Sequence, residues 1–417
     1  MKNKKSTHYL YGMYAFFIFC FLSLPSMILP GFSQEAAYDD LHISLLTVHP
    51  RDKAVYAIFG HTAIRIKSES GNMDYVYNYG YFDASKPHFI YHFVKGETDY
   101  VLGVDECNYF LYKYSLDNSY IEEQVLNLSQ EEKKNVLHFL NQNALPENRE
   151  YRYDYFFDNC TTRPRDIIEN YLQGKLNYPK QKAPTTLRTL VHECTRPYPW
   201  LEFGIDLVIG SGADSTICLR TEMFLPIKLM EALDQSMVTT DSASYSLVKD
   251  KVILLQPTAI DTKEGSSLFS SLFSPTNVTF AVLLLSIGIS VAGYRRKRPF
   301  RGFDIALFAA AGIAGIIVCF ISFISTHPCT SGNYHTLWLH PLHLVAAICF
   351  SIKTLKSINY WYHLVNFAVL TVFLLGFRFF PQEIPLAAVI LVSCLWIRSL
   401  YNGSLHKKFR RERRSTT

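Results

Sequence analysis

Residues 276–401 are almost uninterrupted apolar sequence, and they limit what this chain can be more than anything else in it. Five segments, at about 277–294, 303–325, 337–356, 360–380 and 383–401, are separated by short polar loops. Most are close to the roughly 20 residues a helix needs to cross hydrocarbon. The charges between them predict an orientation. If everything before residue 275 lies outside, the first, third and fifth segments end inside. They meet Arg295–Arg301, then Lys353 with Lys356, then Lys407–Arg414. The outer loop Thr326–Trp338 carries no Lys, Arg, Asp or Glu, and the other outer turn holds Gln382 and Glu383. Arg378, near the outer end of the fourth segment, is the one exception to a bias that keeps basic residues inside.

The N-terminus agrees with export. Lys2, Lys4 and Lys5 precede the apolar run Phe16–Leu24, which Pro25 and Pro30 break before Gly31-Phe32-Ser33. This is the pattern of a signal peptide or an uncleaved N-terminal anchor over residues 1–34. The expected organisation is then a soluble outer domain at 35–262, a Ser-rich linker at 263–275, five membrane helices at 276–402 and a basic cytoplasmic tail at 403–417. The net charge of +5 resides largely in the clusters beside the spans. It reports topology and argues against a nucleic-acid partner.

The outer domain reads as α+β. Strands are expected at 42–48, within 57–66 and at 74–79, with Gly71-Asn72 turning the last two into a hairpin. Further strands fit 100–104 and 119–126. Ser129, with Glu132 three residues on, is a capping box that opens a helix to about Asn143. A short strand at 151–157 leads into a helix that starts near Cys160 and ends at Gly174. Residues 184–235 read as interrupted helix, and 248–256 as a closing strand.

Nine cysteines are present and no CxxC pair, so neither a zinc site nor any other metal or cofactor is expected. Cys20, Cys319, Cys349 and Cys394 fall in apolar segments. Cys107, Cys160, Cys194, Cys218 and Cys329 face the oxidising side, where Cys194 and Cys218 are candidates for a disulfide. An odd exported cysteine marks a free reactive thiol, and Cys160 has the address for one. A free thiol is mostly protonated at neutral pH and so a weak nucleophile. A helix start places partial positive charge and unpaired N–H groups beside the sulfur, which stabilise a thiolate and the oxyanion of acyl transfer. Asp158 and Asn159 are suited to cap that helix. His61, at the start of a strand in Phe59-Gly60-His61-Thr62, is an imidazole to take the thiol proton. Arg163 and Arg165, one turn into the helix, are either phosphate ligands or a solvated face.

The blocks Ile43–Thr47, Phe59–Arg65, Tyr75–Gly80 and Asp158–Thr162, in that order, resemble the Lnb-type lipoprotein N-acyltransferases, a family of membrane-tethered periplasmic proteins. The Leu-Trp-x-x-Pro element in Asn333–Pro341 looks like that family's outer loop. The order of histidine before cysteine also resembles the permuted NlpC branch of papain-like folds. The resemblance implies an α+β, permuted papain/NlpC-like periplasmic domain followed by an all-α bundle of five transmembrane helices, in a bacterial inner membrane with the C-terminus in the cytoplasm. It implies Cys160 as nucleophile and His61 as its base. Asn78 is the expected third residue through hairpin pairing, with Asp74 and Asp83 as rivals. Asn159, Arg163, Arg165 and Trp338 are the expected substrate-binding residues, Trp338 either shaping a lipid entrance or anchoring at the interface. The implied partners are a membrane phospholipid as acyl donor and a diacylated lipoprotein as acceptor. Two other readings stay open: an NlpC-like hydrolase of cell-wall peptides or lipids, and a non-enzymatic sensor or transporter with an outer ligand-binding domain.

Overall fold

The computed structural model describes residues 40–257 and 272–415 of the protein. The expected signal or anchor at 1–34 and most of the expected linker lie outside the described residues. An antiparallel sheet of seven strands organises the outer domain. In chain order they are β1 (His42–Val48), β2 (His61–Ser68), β3 (Met73–Tyr81), β4 (Asp99–Glu106), β5 (Ile121–Leu126), β6 (Glu150–Arg152) and β7 (Val248–Leu255), arranged in space as β7-β5-β1-β2-β3-β4-β6. Alternation along the strands divides their side chains between two faces. On one face Leu46, Val48, Ala63 and Val76 pack against Cys107 and Phe110 of α2 (Cys107–Ser115). The other face meets α3 (Gln130–Asn143), α4 (Thr162–Tyr171) and α7 (Pro226–Asp234). Here the Tyr77 and Tyr79 hydroxyls donate to Asn141 and Asn143, and Gln124 donates to the Met230 carbonyl.

The hairpin, the closing strand and the capping box form as expected: Glu132 N–H donates to Ser129 Oγ and Ser129 N–H to Glu132 Oε2. Two helices have no counterpart in the sequence reading. One is α2; the other is α1 (Phe89–Lys95), which lies between β3 and β4. The expected strand at 151–157 stops at Arg152, because Asp154 accepts from the amides of Phe156 and Phe157 and turns the chain. Cys194 and Cys218 are both free thiols.

Among the described residues, four C-terminal helices are long and apolar enough to cross a membrane: α8 (Pro275–Arg296), α9 (Arg301–Phe323), α11 (Lys356–Gly376) and α12 (Leu386–Ser415). The expected span at 337–356 is different. It folds as the ten-residue helix α10 (Leu342–Ser351), ended by extended backbone at Ile352 and preceded by a 3₁₀ turn at Tyr334–Leu337. Glycines of α9 explain how such backbone is held. Side chains at Gly312 and Gly315 would collide with the backbone of Leu344 and His340, so the two segments pack main chain to main chain. Non-helical backbone at membrane depth is tolerated where protein buries it.

A buried ion pair ties the far end of the bundle. Arg398, 0% exposed, donates two hydrogen bonds to Asp304, and also bonds Ser290, while Asn402 adds a donor to Asp304. Asp304→Leu is expected to cost about 3–5 kcal/mol, because it leaves an unpaired buried guanidinium. Adding Arg398→Met should recover most of the loss in detergent unfolding scans. The outer ends of the helices are tied to the sheet domain through α5 (Leu187–Thr195) and α6 (Pro199–Val208). Arg188, buried, binds Asp206, Asp214 and the carbonyls of Ile209 and Gly210. Gly210 N–H then donates to Cys329 O, and the side chains of Asn333 and Gln382 donate to Leu207 O and Ile209 O. The domain is therefore fixed on the outer loops rather than swinging from a linker.

Candidate active site

Three elements bring Cys160, His61 and Asn78 together. The register Ile64 opposite Tyr77 puts His61 and Asn78 on one face of the β2–β3 hairpin as diagonal neighbours. Asn78 is buried, and its Oδ1 lies 2.6 Å from His61 Nε2. That contact assigns a proton to Nε2 and leaves Nδ1 for Cys160. Asp74, one rival third residue, is held by Arg65 instead; Asp83, the other, sits in an exposed turn bonded to Ser85.

Gly80 makes the approach possible. It sits at a register shift between Tyr79 and Tyr81 with φ +113, a bulge conformation that a side chain disfavours. A Cβ there would lie 3.7 Å from both Cys160 Cβ and His61 Cε1, so the bare backbone borders the dyad. On the other side of the imidazole, the Tyr114 ring stacks at 6.5 Å and Arg51 covers that ring at 4.4 Å.

Cys160 lies just before the first turn of α4. Asn159 does the capping: its Oδ1 accepts from the amides of Thr161 and Thr162, while its Nδ2 donates to Tyr155 O and Phe224 O. The Arg163 amide donates to Asn159 O. These bonds hold the nucleophile's backbone rigidly, and they correct two expectations. The helix-start amides of residues 161–163 are already engaged, so they are not the oxyanion donors. Asn159 itself is buried with its side chain fully used, which makes it a cap rather than a substrate ligand.

The other expected binding residues are also committed elsewhere. Arg163 forms a two-pronged pair with Asp158 at 2.6 and 2.8 Å and lies over the Tyr151 ring at 3.7 Å. Arg165 is buried, bonded to Asp166 and to Arg220 O. Trp338 is 1% exposed in the core of the membrane helices, its indole N–H donating to His335 Nδ1. It is a packing residue and neither lines an entrance nor anchors at an interface. The absence of charge around it in the sequence is what made it look like an exposed outer loop.

Burial opposes charge on both members of the dyad, yet each shifts toward its ionised form. For Cys160, burial raises the thiol pKa; the His61 charge, its hydrogen bond and the Thr62 amide outweigh that and lower it overall. For His61, burial lowers the pKa; the charge and hydrogen bond of Cys160 and the Asn78 carbonyl oxygen raise it overall. Both shifts run toward the thiolate–imidazolium pair. Asn78→Ala removes an acceptor from the imidazolium, so the acid limb of Cys160 alkylation is expected to move to higher pH. Iodoacetamide rates across pH 5–9 would check it; an unmoved limb would separate Asn78 from the dyad.

Sequence reasoning missed the aromatic wall. Tyr100 and Tyr153 stack at 4.2 Å beside Cys160, whose charge, after burial, helps raise both hydroxyl pKa values, that of Tyr100 to about 12. The many tyrosines at 75–155 were the available signal, and period-2 patterning does not say which of them meet. Among the described residues no group of His, Cys, Asp or Glu side chains is placed to hold a metal.

Residues 30–193 match the Lnb N-terminal periplasmic domain, and residues 267–409 match the Lnb transmembrane domain. No curated protein and no solved structure matches the chain significantly.

Proposed function

The chain belongs to the Lnb family, as a membrane protein with a periplasmic domain and several transmembrane helices, and on that premise we propose that it is an N-acyltransferase of lipoproteins with Cys160 as its nucleophile. The observation that carries this is the dyad of Cys160 and His61, oriented by Asn78 and shifted toward thiolate and imidazolium, in a domain fixed directly on membrane helices. Tethering suits two substrates that both lie in the bilayer, because it orients their esters at the site. We read the order of helix-start cysteine and strand-borne histidine and asparagine as a permuted papain-like site. We also place the C-terminus in the cytoplasm, on the basic loops.

The Cys160 thiolate attacks the carbonyl of a phospholipid acyl ester. A C–S bond forms, the ester C–O bond breaks, and His61 gives its proton to the departing alkoxide of the lysophospholipid. The amide of Cys160 itself is the donor we assign to the oxyanion. The α-amine of a diacylglyceryl-cysteine lipoprotein then attacks the thioester. A C–N bond forms, the C–S bond breaks, and neutral His61 takes the amine proton, which restores the ion pair. Mass spectrometry of lipoprotein N-termini from cells with and without the protein tests the reading: triacylated N-termini should depend on it. Diacylated N-termini in both, with cleavage of cell-wall peptide by the purified protein, would replace it with the hydrolase reading.

A further inference from the structure

We propose that α1 rests in the outer leaflet and that its aromatic face delivers a phospholipid acyl chain to Cys160. The proposal names the donor's route in the acyl-transfer reading and rests on that reading for its purpose, though not for its geometry. Helix α1 has seven residues, and none of them is buried. Ile90 is 77% exposed, Tyr91 50% and Phe93 46%. So short a helix, with an apolar face open to water, has little to stabilise it. It needs an apolar surrounding that the chain itself does not supply.

The position of α1 says what that surrounding is. Its C-terminal end is fastened to the outer end of α9. Thr326 N–H and Oγ1 donate to Lys95 O, and His327 Nε2 meets Phe93 O at 2.7 Å. The Tyr91 ring lies 6.1 Å from that of Phe320, which is three residues, or about 5 Å of rise, from the end of the span. Phe323 and Ile324, at the same level, are themselves exposed. The open face of α1 therefore continues the lipid-facing surface of α9 at the boundary of the hydrocarbon. Gly96 keeps it there: with φ +78, a Cβ would come 2.7 Å from Thr326 Oγ1 and 2.8 Å from His327 N.

From this level an unbroken run of rings leads inward. Phe93 stacks on Phe89 at 5.9 Å, Phe89 on Phe82 at 5.6 Å, Phe82 meets Tyr100 at 5.1 Å, and Tyr100 stacks on Tyr153 at 4.2 Å. The last two rings are those that sense the Cys160 charge. Phe82 is 40% exposed and Tyr56, beside it, 68%. An acyl chain leaving the bilayer along this wall stays on apolar surface until its ester reaches the sulfur.

The test uses the full chain carrying Cys160→Ala, so that no turnover is required, in nanodiscs containing a phospholipid with a diazirine near the end of one acyl chain. After irradiation, adducts are mapped by mass spectrometry. Adducts are expected on residues 82–93 and on Tyr100 or Tyr153, besides those on the spans. Ile90→Asp with Phe93→Asp should cut the adducts at Tyr100 and Tyr153 on the order of tenfold, since charges at that depth cost about a kcal/mol or more. Adducts on the spans report that this variant is still inserted. Labelling confined to the spans, or labelling of Tyr100 and Tyr153 that ignores both aspartates, would overturn the route. Neither result touches the acyltransferase reading, whose failure would appear in the lipoprotein N-termini instead.

Discussion

Cys160→Ser is expected to reduce N-acylation of a diacylated lipopeptide on the order of 10⁴-fold or more, with the fold intact. Serine fits the space, and the Asn159 cap that sets the local backbone is untouched. What changes is the ionisation. His61 and the Thr62 amide lower the thiol pKa against the burial that raises it. An alcohol starts several units higher, so the same neighbours leave it neutral. Without an anion no acyl-enzyme forms, and the residual rate comes only from binding and oxyanion stabilisation. Loss of a nucleophile from a catalytic unit costs about 10⁴–10⁶, and further loss of its base adds little. Cys160→Ser combined with His61→Ala should therefore be no slower than the single variant. Liquid chromatography of triacylated against diacylated lipopeptide reads both. Wild-type turnover by Cys160→Ser would remove Cys160 from the chemistry.

The parts of this arrangement that were legible in sequence are those set by neighbours along the chain. Ser129 and Glu132 announce α3 because a capping box is local, and Gly71-Asn72 announces the β2–β3 hairpin because a turn is local. Through that hairpin even the long-range pair His61 and Asn78 could be placed, since alternation along paired strands dictates which side chains share a face. Helix α1 was not legible for a physical reason. Its sequence, FIYHFVK, has no side-chain cap and is too short to signal a helix by periodicity, and it is held by bonds to Thr326 and His327 that only the folded chain provides. The segment at 337–356 has the composition of one continuous span, and nothing in hydropathy announces that its helix runs only from Leu342 to Ser351, with His340 and Leu344 packed on Gly315 and Gly312. Arg163 and Arg165 misled because a basic residue one turn into a helix looks the same in sequence whether its fork is empty or filled. Here Asp158 and Asp166 fill them.

His61→Ala separates the electrostatic role of the imidazole from its role in proton transfer, and here the pH dependence carries a definite sign. In the wild type the Cys160 pKa lies below the ordinary thiol value and that of His61 above its own. Alkylation of Cys160 by iodoacetamide should therefore remain fast at pH 7 and fall only below the lowered thiol pKa. Removing His61 takes away the largest effects opposing burial, and leaves the Thr62 amide and the Thr161 hydroxyl. Burial then pushes the thiol to its ordinary range or above. A thiol with a pKa near 9 is only about 1% thiolate at pH 7, so the alkylation rate should drop roughly 100-fold there and recover as the pH rises through 9. His61→Gln should behave as alanine does, since a neutral amide supplies no charge. N-acylation should fall further than alkylation, by an additional 10²–10⁴ or so, because the departing alkoxide also loses its proton donor. The two losses are distinguishable. Raising the pH restores the first and not the second. Alkylation profiles of His61→Ala and wild type that superimpose from pH 6 to 9 would show that the thiolate owes nothing to His61, and the dyad would have to be given up.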